Sequence, residues 1–211
     1  TEISDQCKEL EDFFNGTASK FQISTLIKEA YNTTEQDLRT NLLKIKEVSP
    51  QAIVICGWRH ENIIMKQLKE LGMINIPGFH WTAPFLPNSD TEDMRKLFEE
   101  NKAISTWYGL PDSITNSKQR EFVKKYQARF GEKPRSDVAY IYDDIYLLSE
   151  ALKRCDLKAK VRDSKCLSSE MLKTDYAGVG GKITFNERGL SNREVTAIKI
   201  TNGLWREIPL K

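Results

Sequence analysis

Five residues that follow two apolar runs of the chain have side chains suited to a small-molecule binding surface. They are Trp58, Arg59 and His60 after the run AIVICG, and Trp81 and Thr82 after the run IPGFH. Indole rings supply area on which a ligand stacks, and cationic and hydroxyl groups fix the orientation of the ligand. These residues predict a binding surface for a small polar molecule, with no catalytic role for any of them.

The same residues also fit structural roles. Trp58 could cover the end of a sheet, and an isolated histidine such as His60 or His80 is often a hydrogen-bonded structural residue. The sequence alone leaves both interpretations open.

No common catalytic motif occurs in the sequence. The chain lacks the GxSxG, HExxH and Walker patterns, and its AGVGGK run has neither the spacing nor the context of a dinucleotide site. Asp143 and Asp144 are adjacent in a predicted helix, where neighbours point about 100° apart and cannot form a carboxylate pair. We expect them on a solvated face or in a helix contact. We expect a protein that is not an enzyme and that uses no metal and no cofactor.

The four cysteines show no zinc-binding spacing. Cys7 falls in the apolar stripe of the first predicted helix and Cys56 ends an apolar run, so we expect both to be small buried hydrophobic residues. Cys155 and Cys166 bracket a polar loop, where a disulfide would join a helix end to the next element. Two alternatives remain for this second pair, a disulfide in an oxidising compartment or two thiols in a cytosolic chain.

The composition of the 211 residues is that of a globular domain or two small ones. Lys and Arg number 32 against 30 Asp and Glu, and no dense basic run occurs, so nucleic acid is not an expected partner. No stretch approaches the roughly 18 consecutive apolar residues that a membrane span needs. The first residue is Thr1, and we expect that a signal peptide has been removed or that the sequence begins inside a longer chain.

Strands and helices alternate over the first half of the predicted structure. A helix is expected over Ile3 to Phe14, a strand over the alternating segment FQISTLIKEAY, and a helix capped by Thr34 and Asp37 that buries Leu38. Three further strands are expected at QAIVICG, IPGFHWTAP and AISTWYG, with helices between them, and the first of these reads as a strand covered on both faces. This alternation of strands and helices predicts an α/β fold with an open, doubly wound parallel sheet and helices on both faces.

Two consecutive helices and a set of hairpin strands are expected in the second half. Phe122, Tyr126 and Phe130 form the stripe of the first helix, and the second helix begins near Ser136 or Asp137. The strands near the C-terminus are joined by an Asn-Gly turn. In open parallel sheets ligands bind beyond the carboxyl ends of the strands, and this rule selects the five residues named at the start.

Three pieces of the second half, in their order and spacing, carry a family resemblance. They are an FxxxYxxxFGxxP segment, a helix that contains Tyr142-Asp143, and a YxGxxGxIxF strand turn from Tyr176 to Phe185. With them, nearly the whole chain resembles the C-terminal part of the extracellular solute-binding proteins of the branched-chain amino acid (Leu/Ile/Val) type, which have the type I periplasmic binding fold.

The resemblance implies a periplasmic or extracellular receptor that closes on a small ligand and passes it to the membrane permease of an ABC transporter. Trp58 falls where the family places an aromatic residue, and Thr82 falls where amino-acid binders carry an acid that pairs with the ligand's ammonium group. A buried ammonium without that carboxylate would be costly. Together with Arg59, His60 and His80, this favours a carboxylate, an amide or another anionic or neutral polar ligand.

The resemblance also implies that the family's N-terminal lobe is absent. Residues 1–112 would form the second lobe, and residues 113–211 would be helices and strands that return toward the absent first lobe. Their apolar faces would lack the usual cover, so we expect self-association through that surface.

Two other functions share this fold class. One is a ligand-sensing domain of a membrane receptor or regulator. The other is a small α/β enzyme whose site is completed by a partner.

Overall fold

The computed structural model of the chain describes residues 1–57, 60–81, 91–107, 117–134, 138–157, 163–193 and 196–209. These residues form two compact units. Unit 1 comprises Thr1–Thr106 and Ala197–Lys211, and unit 2 comprises Trp107–Thr196. The expected division at residue 112 differs from this one at the C-terminal end, because the last two strands join the sheet of unit 1.

Unit 1 alternates helices and strands, as the sequence predicts. Its elements are α1 (Asp5–Ala18), a short 3-10 helix (Ser19–Phe21), α2 (Arg39–Glu47), β1 (Ile53–Ile55), α3 (Glu61–Glu70), β2 (Gly78–His80), α4 (Glu92–Glu100), β3 (Ile104–Trp107), β6 (Thr196–Thr201) and β7 (Leu204–Ile208). The sheet has the strand order β1-β2-β3-β6-β7. Strands β1, β2 and β3 are parallel, and β6 and β7 form the predicted antiparallel hairpin.

The hairpin turn confirms the Asn-Gly signal. Asn202 and Gly203 both have positive φ, at 55° and 72°, as a two-residue hairpin turn requires. Their backbone N–H groups donate to the carboxylate of Glu99 in α4, and Arg95 of the same helix donates to the Gly203 carbonyl. The hairpin is thereby attached to α4.

Large apolar side chains from α3, α4 and the hairpin form the core of unit 1. Met65 and Leu68 of α3 are fully buried, and the ring of Phe98 in α4 lies 5.9 Å from the ring of Trp205 in β7. These residues have helical spacing in the sequence because they lie on the helix faces that pack into this core. The sequence predicted that β1 is covered on both faces, but Val54 in β1 is exposed. It is exposed because β1 is the outermost strand of the sheet.

The strand predicted over FQISTLIKEAY is wrong. The structure has the 3-10 helix followed by irregular chain, with one parallel bridge between Glu2 and Tyr31. Ile23 and Leu26, which gave the segment its alternation, are both exposed. Without a packed face, the alternating pattern does not produce a strand.

The predicted ends of α1 and α2 are also shifted. Helix α1 continues through Asn15-Gly16 to Ala18, and its N-cap is Ser4, whose hydroxyl accepts from the Cys7 N–H. Helix α2 begins after Leu38 without a side-chain cap, so the predicted cap at Thr34 is wrong. The Leu38 N–H instead donates to the Gln67 side chain of α3, at 2.8 Å, so a tertiary contact replaces the local cap.

In the part of unit 2 that the structure describes, the elements are three helices and a hairpin. Its elements are α5 (Ser117–Phe130), α6 (Val138–Asp156), α7 (Ser164–Leu172), β4 (Asp175–Gly178) and β5 (Gly181–Thr184). Two residues of the aromatic stripe predicted for α5 pack here. Phe122 lies in a core cluster with Ala139 of α6 and Val179 of the hairpin turn, and Tyr126 packs against that cluster, whereas Phe130 is exposed. The proposed caps of α6, Ser136 and Asp137, lie outside the described residues.

Asp143 of α6 connects that helix to the hairpin turn. Its carboxylate is fully buried and accepts hydrogen bonds from the Val179 N–H at 2.8 Å and the Gly180 N–H at 2.7 Å. A side chain at Gly178 would lie 2.3 Å from the same carboxylate, so only glycine fits. The prediction of a solvated face or helix contact is therefore wrong for Asp143, whereas Asp144 is exposed and pairs with Arg193.

Burial of the Asp143 carboxylate has a consequence for its titration. Removal from water raises the pKa of Asp143, and the two backbone N–H donors oppose that rise without cancelling it. The folded protein therefore holds this proton more tightly than the unfolded chain does. The associated stabilisation is complete below the ordinary aspartate pKa and is lost as the pH rises through the raised value.

Replacing Asp143 by Asn should destabilise the protein at neutral pH. The amide nitrogen would face a backbone N–H, so one buried donor loses its acceptor, at a cost of about 1–3 kcal/mol in the free energy of unfolding. Chemical denaturation measures this loss. Asp144→Asn is the matched control on the exposed neighbour, for which a change within about 0.5 kcal/mol is expected. Equal effects of the two substitutions would contradict the assigned role of Asp143.

Candidate functional site

The carboxyl ends of β1 and β2 lie at one edge of the unit 1 sheet. Ile55 is paired with His80 in the parallel register, and the N–H of Trp81, the first residue after β2, donates to the Ile55 carbonyl at 3.0 Å. The segments that follow the two strands therefore leave the sheet side by side. This edge is the place where an open parallel sheet binds ligands.

The structure describes two of the five predicted site residues. Trp81 is half-buried at the end of β2, and His60 is buried at the start of α3, where its carbonyl accepts from the Ile64 N–H at 2.8 Å. Trp58, Arg59 and Thr82 lie outside the described residues.

Cys56, the first residue after β1, is attached to the rest of unit 1 in three ways. Its sulfur is bonded to that of Cys7 in α1, with a Cα–Cα distance of 5.7 Å. Its carbonyl oxygen accepts both the Glu2 N–H at 2.8 Å and the Tyr31 hydroxyl at 3.3 Å. These bonds fix the position at which the chain leaves the sheet.

The expectation that Cys7 and Cys56 are unpaired hydrophobic residues is wrong. Both are buried as expected, but they form a disulfide across a sequence separation of 49 residues. Cys155 and Cys166 are bonded to each other as well and connect α6 to α7. An even number of cysteines was the signal for the first disulfide, although nothing in the local sequence pairs Cys7 with Cys56.

Gly57 lies in close contact with Tyr31. A Cβ atom at this position would be 2.0 Å from the Tyr31 hydroxyl oxygen, so a side chain here would displace the tyrosine. Burial is the main cause that raises the pKa of Tyr31 above its usual range, and the nearby carboxylates of Glu2 and Glu61 raise it further. The hydroxyl keeps its proton and remains a donor to the Cys56 carbonyl.

Two histidines lie beneath this edge, each beside a buried glutamate. His60 Nδ1 is 3.7 Å from a carboxylate oxygen of Glu2, and His80 Nδ1 is 3.7 Å from one of Glu61. All four side chains are buried, and the His80 ring also packs edge-on against Phe98. The structure thus places the side chains of His60 and His80 below the surface at this edge.

Sequence reasoning missed Glu2, Cys7 and Tyr31 as residues of this edge. Glu2 and Cys7 belong to the N-terminal segment, and Tyr31 ends the segment that was predicted to be a strand. No local pattern marks them, because their partners are far away in the sequence.

The described residues offer no group of three or more His, Cys, Asp or Glu side chains arranged to hold a metal ion. Within the same residues, no helix is long and apolar enough to cross a membrane.

Comparison with known proteins gives the family. A model of the periplasmic binding proteins matches residues 4–203. The chain belongs to this family of periplasmic binding proteins. The match confirms the resemblance to solute-binding proteins, whose solved members share the α/β architecture described above. None of the curated proteins matches the chain.

Several solved structures share the fold of this periplasmic binding protein. A leucine-binding protein from Thermotoga maritima is 21% identical, with a TM-score of 0.79 over 99% of this chain and 58% of that one. An ABC transporter solute-binding protein from R. palustris, in complex with benzoate, is 13% identical, with a TM-score of 0.76 over 98% of this chain and 56% of that one. The isoleucine complex of LivJ from Streptococcus pneumoniae is 20% identical, with a TM-score of 0.68 over 93% of this chain and 57% of that one. The chain spans less than 60% of the length of each of these neighbours.

Proposed function

We propose that this periplasmic binding protein binds a small polar ligand at the carboxyl ends of β1 and β2. The observation that carries the proposal is the parallel pairing of these strands, which brings the segments after Ile55 and His80 to one edge of the sheet. Both segments contain residues suited to a ligand, and neither has the residues of a catalytic site. Binding without chemistry is therefore the function we propose for this edge.

Four residues carry the proposed binding, each with its own role. The indoles of Trp58 and Trp81 stack on the ligand, the Arg59 guanidinium pairs with an anionic group, and the Thr82 hydroxyl donates a hydrogen bond. His60, the other predicted site residue, is buried.

We propose a carboxylate as the ligand class, with neutral amides next. Thr82 offers no charge to an ammonium group, and the carboxylates of Glu2 and Glu61 are buried beside His60 and His80. Desolvating an ammonium group without a carboxylate partner is costly, whereas Arg59 compensates a carboxylate. Neighbours of this fold have been crystallised with benzoate, with 3,4-dihydroxybenzoic acid and with isoleucine, so the fold accommodates aromatic carboxylates as well as an α-amino acid.

We propose that the protein acts as the ligand-binding component of an ABC transporter, in the periplasm or outside the cell. The family and its solute-binding neighbours support this role. The two disulfides of the chain suit an oxidising compartment.

Benzoate should raise the thermal midpoint of the protein more than leucine does. A ligand that binds only the folded state stabilises it by about 2.7 kcal/mol at a hundredfold excess over its dissociation constant. A thermal-shift series with benzoate, leucine and benzamide measures the order. Tight binding of leucine with no response to benzoate would contradict the proposed ligand class.

Arg59→Gln should weaken benzoate binding by about 10- to 100-fold, since a hydrogen bond to a charged group contributes about 1.5–3 kcal/mol. Titration calorimetry measures the affinity. Arg39→Gln is the matched control, because Arg39 is exposed in unit 1 and pairs with Glu70 on α3. Unchanged benzoate affinity of Arg59→Gln would show that the anion binds elsewhere.

We also propose that two copies of the chain associate through unit 2. Ile141, Ile145 and Leu148 on α6 are all exposed and follow one another at intervals of four and three residues. Val138 and Leu152 extend the same spacing in both directions. This is the spacing by which two copies of one helix interdigitate, and we name these five residues the α6 stripe.

An open groove runs along the α6 stripe, and Val138, Ile141 and Ile145 of the stripe line it. It has a volume of about 550 Å³ and lies between α5, α6 and the β4–β5 hairpin, with aromatic walls that include Phe122 and Tyr142. In a two-fold dimer the same surface patch of each copy contacts the other, so the occupant we propose is a second copy.

The exposed apolar area suffices for a weak dimer. With Phe130, Tyr142 and Tyr146 exposed by 57%, 38% and 46%, three rings of roughly 200 Å² each contribute about 280 Å² per copy. The aliphatic residues of the α6 stripe raise this to roughly 500 Å² per copy, so a pair would bury about 1,000 Å², the lower limit of a specific interface.

Ile145→Asp should shift the protein to a monomer at concentrations where the wild type is dimeric, because the charge would be buried at the centre of the interface. Sedimentation equilibrium over a concentration series measures this. Leu157→Asp is the matched control, since Leu157 is exposed in unit 2 outside the α6 stripe. A wild-type protein that is monomeric at every concentration would contradict the proposed dimer.

A further inference from the structure

The N-terminal residues of the chain are hydrogen-bonded as part of a parallel ladder. The Thr1 amino group donates to the Glu29 carbonyl at 2.8 Å, and the Tyr31 N–H donates to the Thr1 carbonyl at 3.0 Å. The Ile3 N–H then donates to the Tyr31 carbonyl at 2.9 Å. Evenly spaced bonds that pass from one chain to the other in turn are the pattern of parallel strands. The first residues therefore pair with the segment that ends at Tyr31.

The same residues are bonded to β1 on their other side. The Glu2 N–H donates to the Cys56 carbonyl at 2.8 Å, whereas the backbone groups of Thr1 and Ile3 are directed toward Tyr31. Successive residues of a strand direct their backbone groups to opposite sides in this way. The N-terminal residues thus lie between two chain segments, as a strand inside a sheet does.

The edge of β1 next to Glu2 is open toward the start of the strand. The Ile53 N–H and the Ile55 carbonyl are bonded to backbone groups at the two ends of β2. Val54, which lies between them, therefore directs its N–H and its carbonyl away from β2. In the sheet that the described residues form, β1 is the outermost strand. The slot that holds Glu2 continues along this edge beyond Thr1.

We propose that the open edge of β1 binds an extended apolar strand that is joined to the Thr1 nitrogen and runs parallel to β1. This strand extends the existing ladder, with hydrogen bonds to β1 on one side and to the segment before Tyr31 on the other. Addition of a strand to an open sheet edge is a common mode of peptide recognition. The proposal does not depend on the ligand proposed for the carboxyl ends of β1 and β2.

The Thr1 amino group marks the point at which the added strand enters. Burial is the main cause that lowers the pKa of this amino group below its usual value, and the carboxylates of Glu11 and Glu29 oppose the shift. A peptide bond at the same nitrogen would remove the charge and keep one N–H for the Glu29 carbonyl. The surroundings of this nitrogen therefore suit an amide better than an ammonium group.

The two segments that border the slot carry exposed apolar side chains. Val54 in β1 is exposed by 39%, and Ile23 and Leu26 in the segment before Tyr31 are exposed by 51% and 60%. Residues 23–30 form neither a helix nor a strand, although their sequence alternates. A strand in the slot would give this segment a neighbour to pair with and would cover apolar area, which is why the proposed strand is apolar.

A six-residue extension of alternating threonine and valine, joined to Thr1 through a valine, tests the proposal. Its carbonyl groups should accept from the N–H groups of Val54 and Cys56 on one side and from that of Glu29 on the other. Hydrogen exchange at these three amides should therefore slow about tenfold relative to the wild type, the effect of one added hydrogen bond at each. Exchange in the β6–β7 hairpin should stay unchanged.

The matched control carries proline in place of the valine that is joined to Thr1. Proline has no N–H to donate to the Val54 carbonyl, so the slowing at Val54 and Cys56 should be lost. A second extension, of alternating lysine and valine, gives the same measurement if the first variant aggregates. Wild-type exchange at the three amides in both valine extensions would overturn the proposal, and so would equal slowing in the proline variant.

Discussion

Buried backbone polar groups at the ends of short strands need hydrogen-bond partners, and this requirement shapes both units of the protein. The strands β1, β2 and β4 have only three or four residues, so much of each strand is an end. The Cys56 carbonyl beyond β1 is bonded by Glu2 and Tyr31, and the Val179 and Gly180 N–H groups beyond β4 are bonded by Asp143. An unpartnered buried group would cost about 1–3 kcal/mol, which is large for a domain of this size.

The same requirement applies to polar side chains at the carboxyl ends of β1 and β2. Polar side chains that serve the fold, including the two histidine–glutamate pairs, lie beneath the surface, and Trp81 lies half-buried beside them. In each pair a histidine Nδ1 lies 3.7 Å from a carboxylate oxygen, and the carboxylates of Glu2 and Glu61 are buried.

Unit 2 combines a firmly packed interior with an apolar exterior. Phe122, Ala139 and Val179 are buried together, whereas the aliphatic residues along the outer side of α6 are exposed. A patch of about 500 Å² lies within the range of the largest apolar patch on a typical monomer, and patches of that size are often functional. The chain spans less than 60% of the length of its structural neighbours, in which the corresponding residues belong to a larger molecule.

The sequence by itself determined the order of elements from β1 to α6, the Asn202-Gly203 hairpin turn, the packing of Phe122 and Tyr126 on α5, and the family, whereas α7 was not predicted. These features depend on hydrophobic periodicity and turn chemistry, which are properties of neighbouring residues. Only the tertiary structure decided the Cys7–Cys56 disulfide, the role of Asp143 and the irregular course of Phe21 to Tyr31. The first two join residues 49 and 36 or more positions apart, and the third depends on whether a face of the segment is covered. Local patterns report which side chains tend to be buried, whereas the partners that satisfy buried polar and sulfur atoms are set by where distant segments meet.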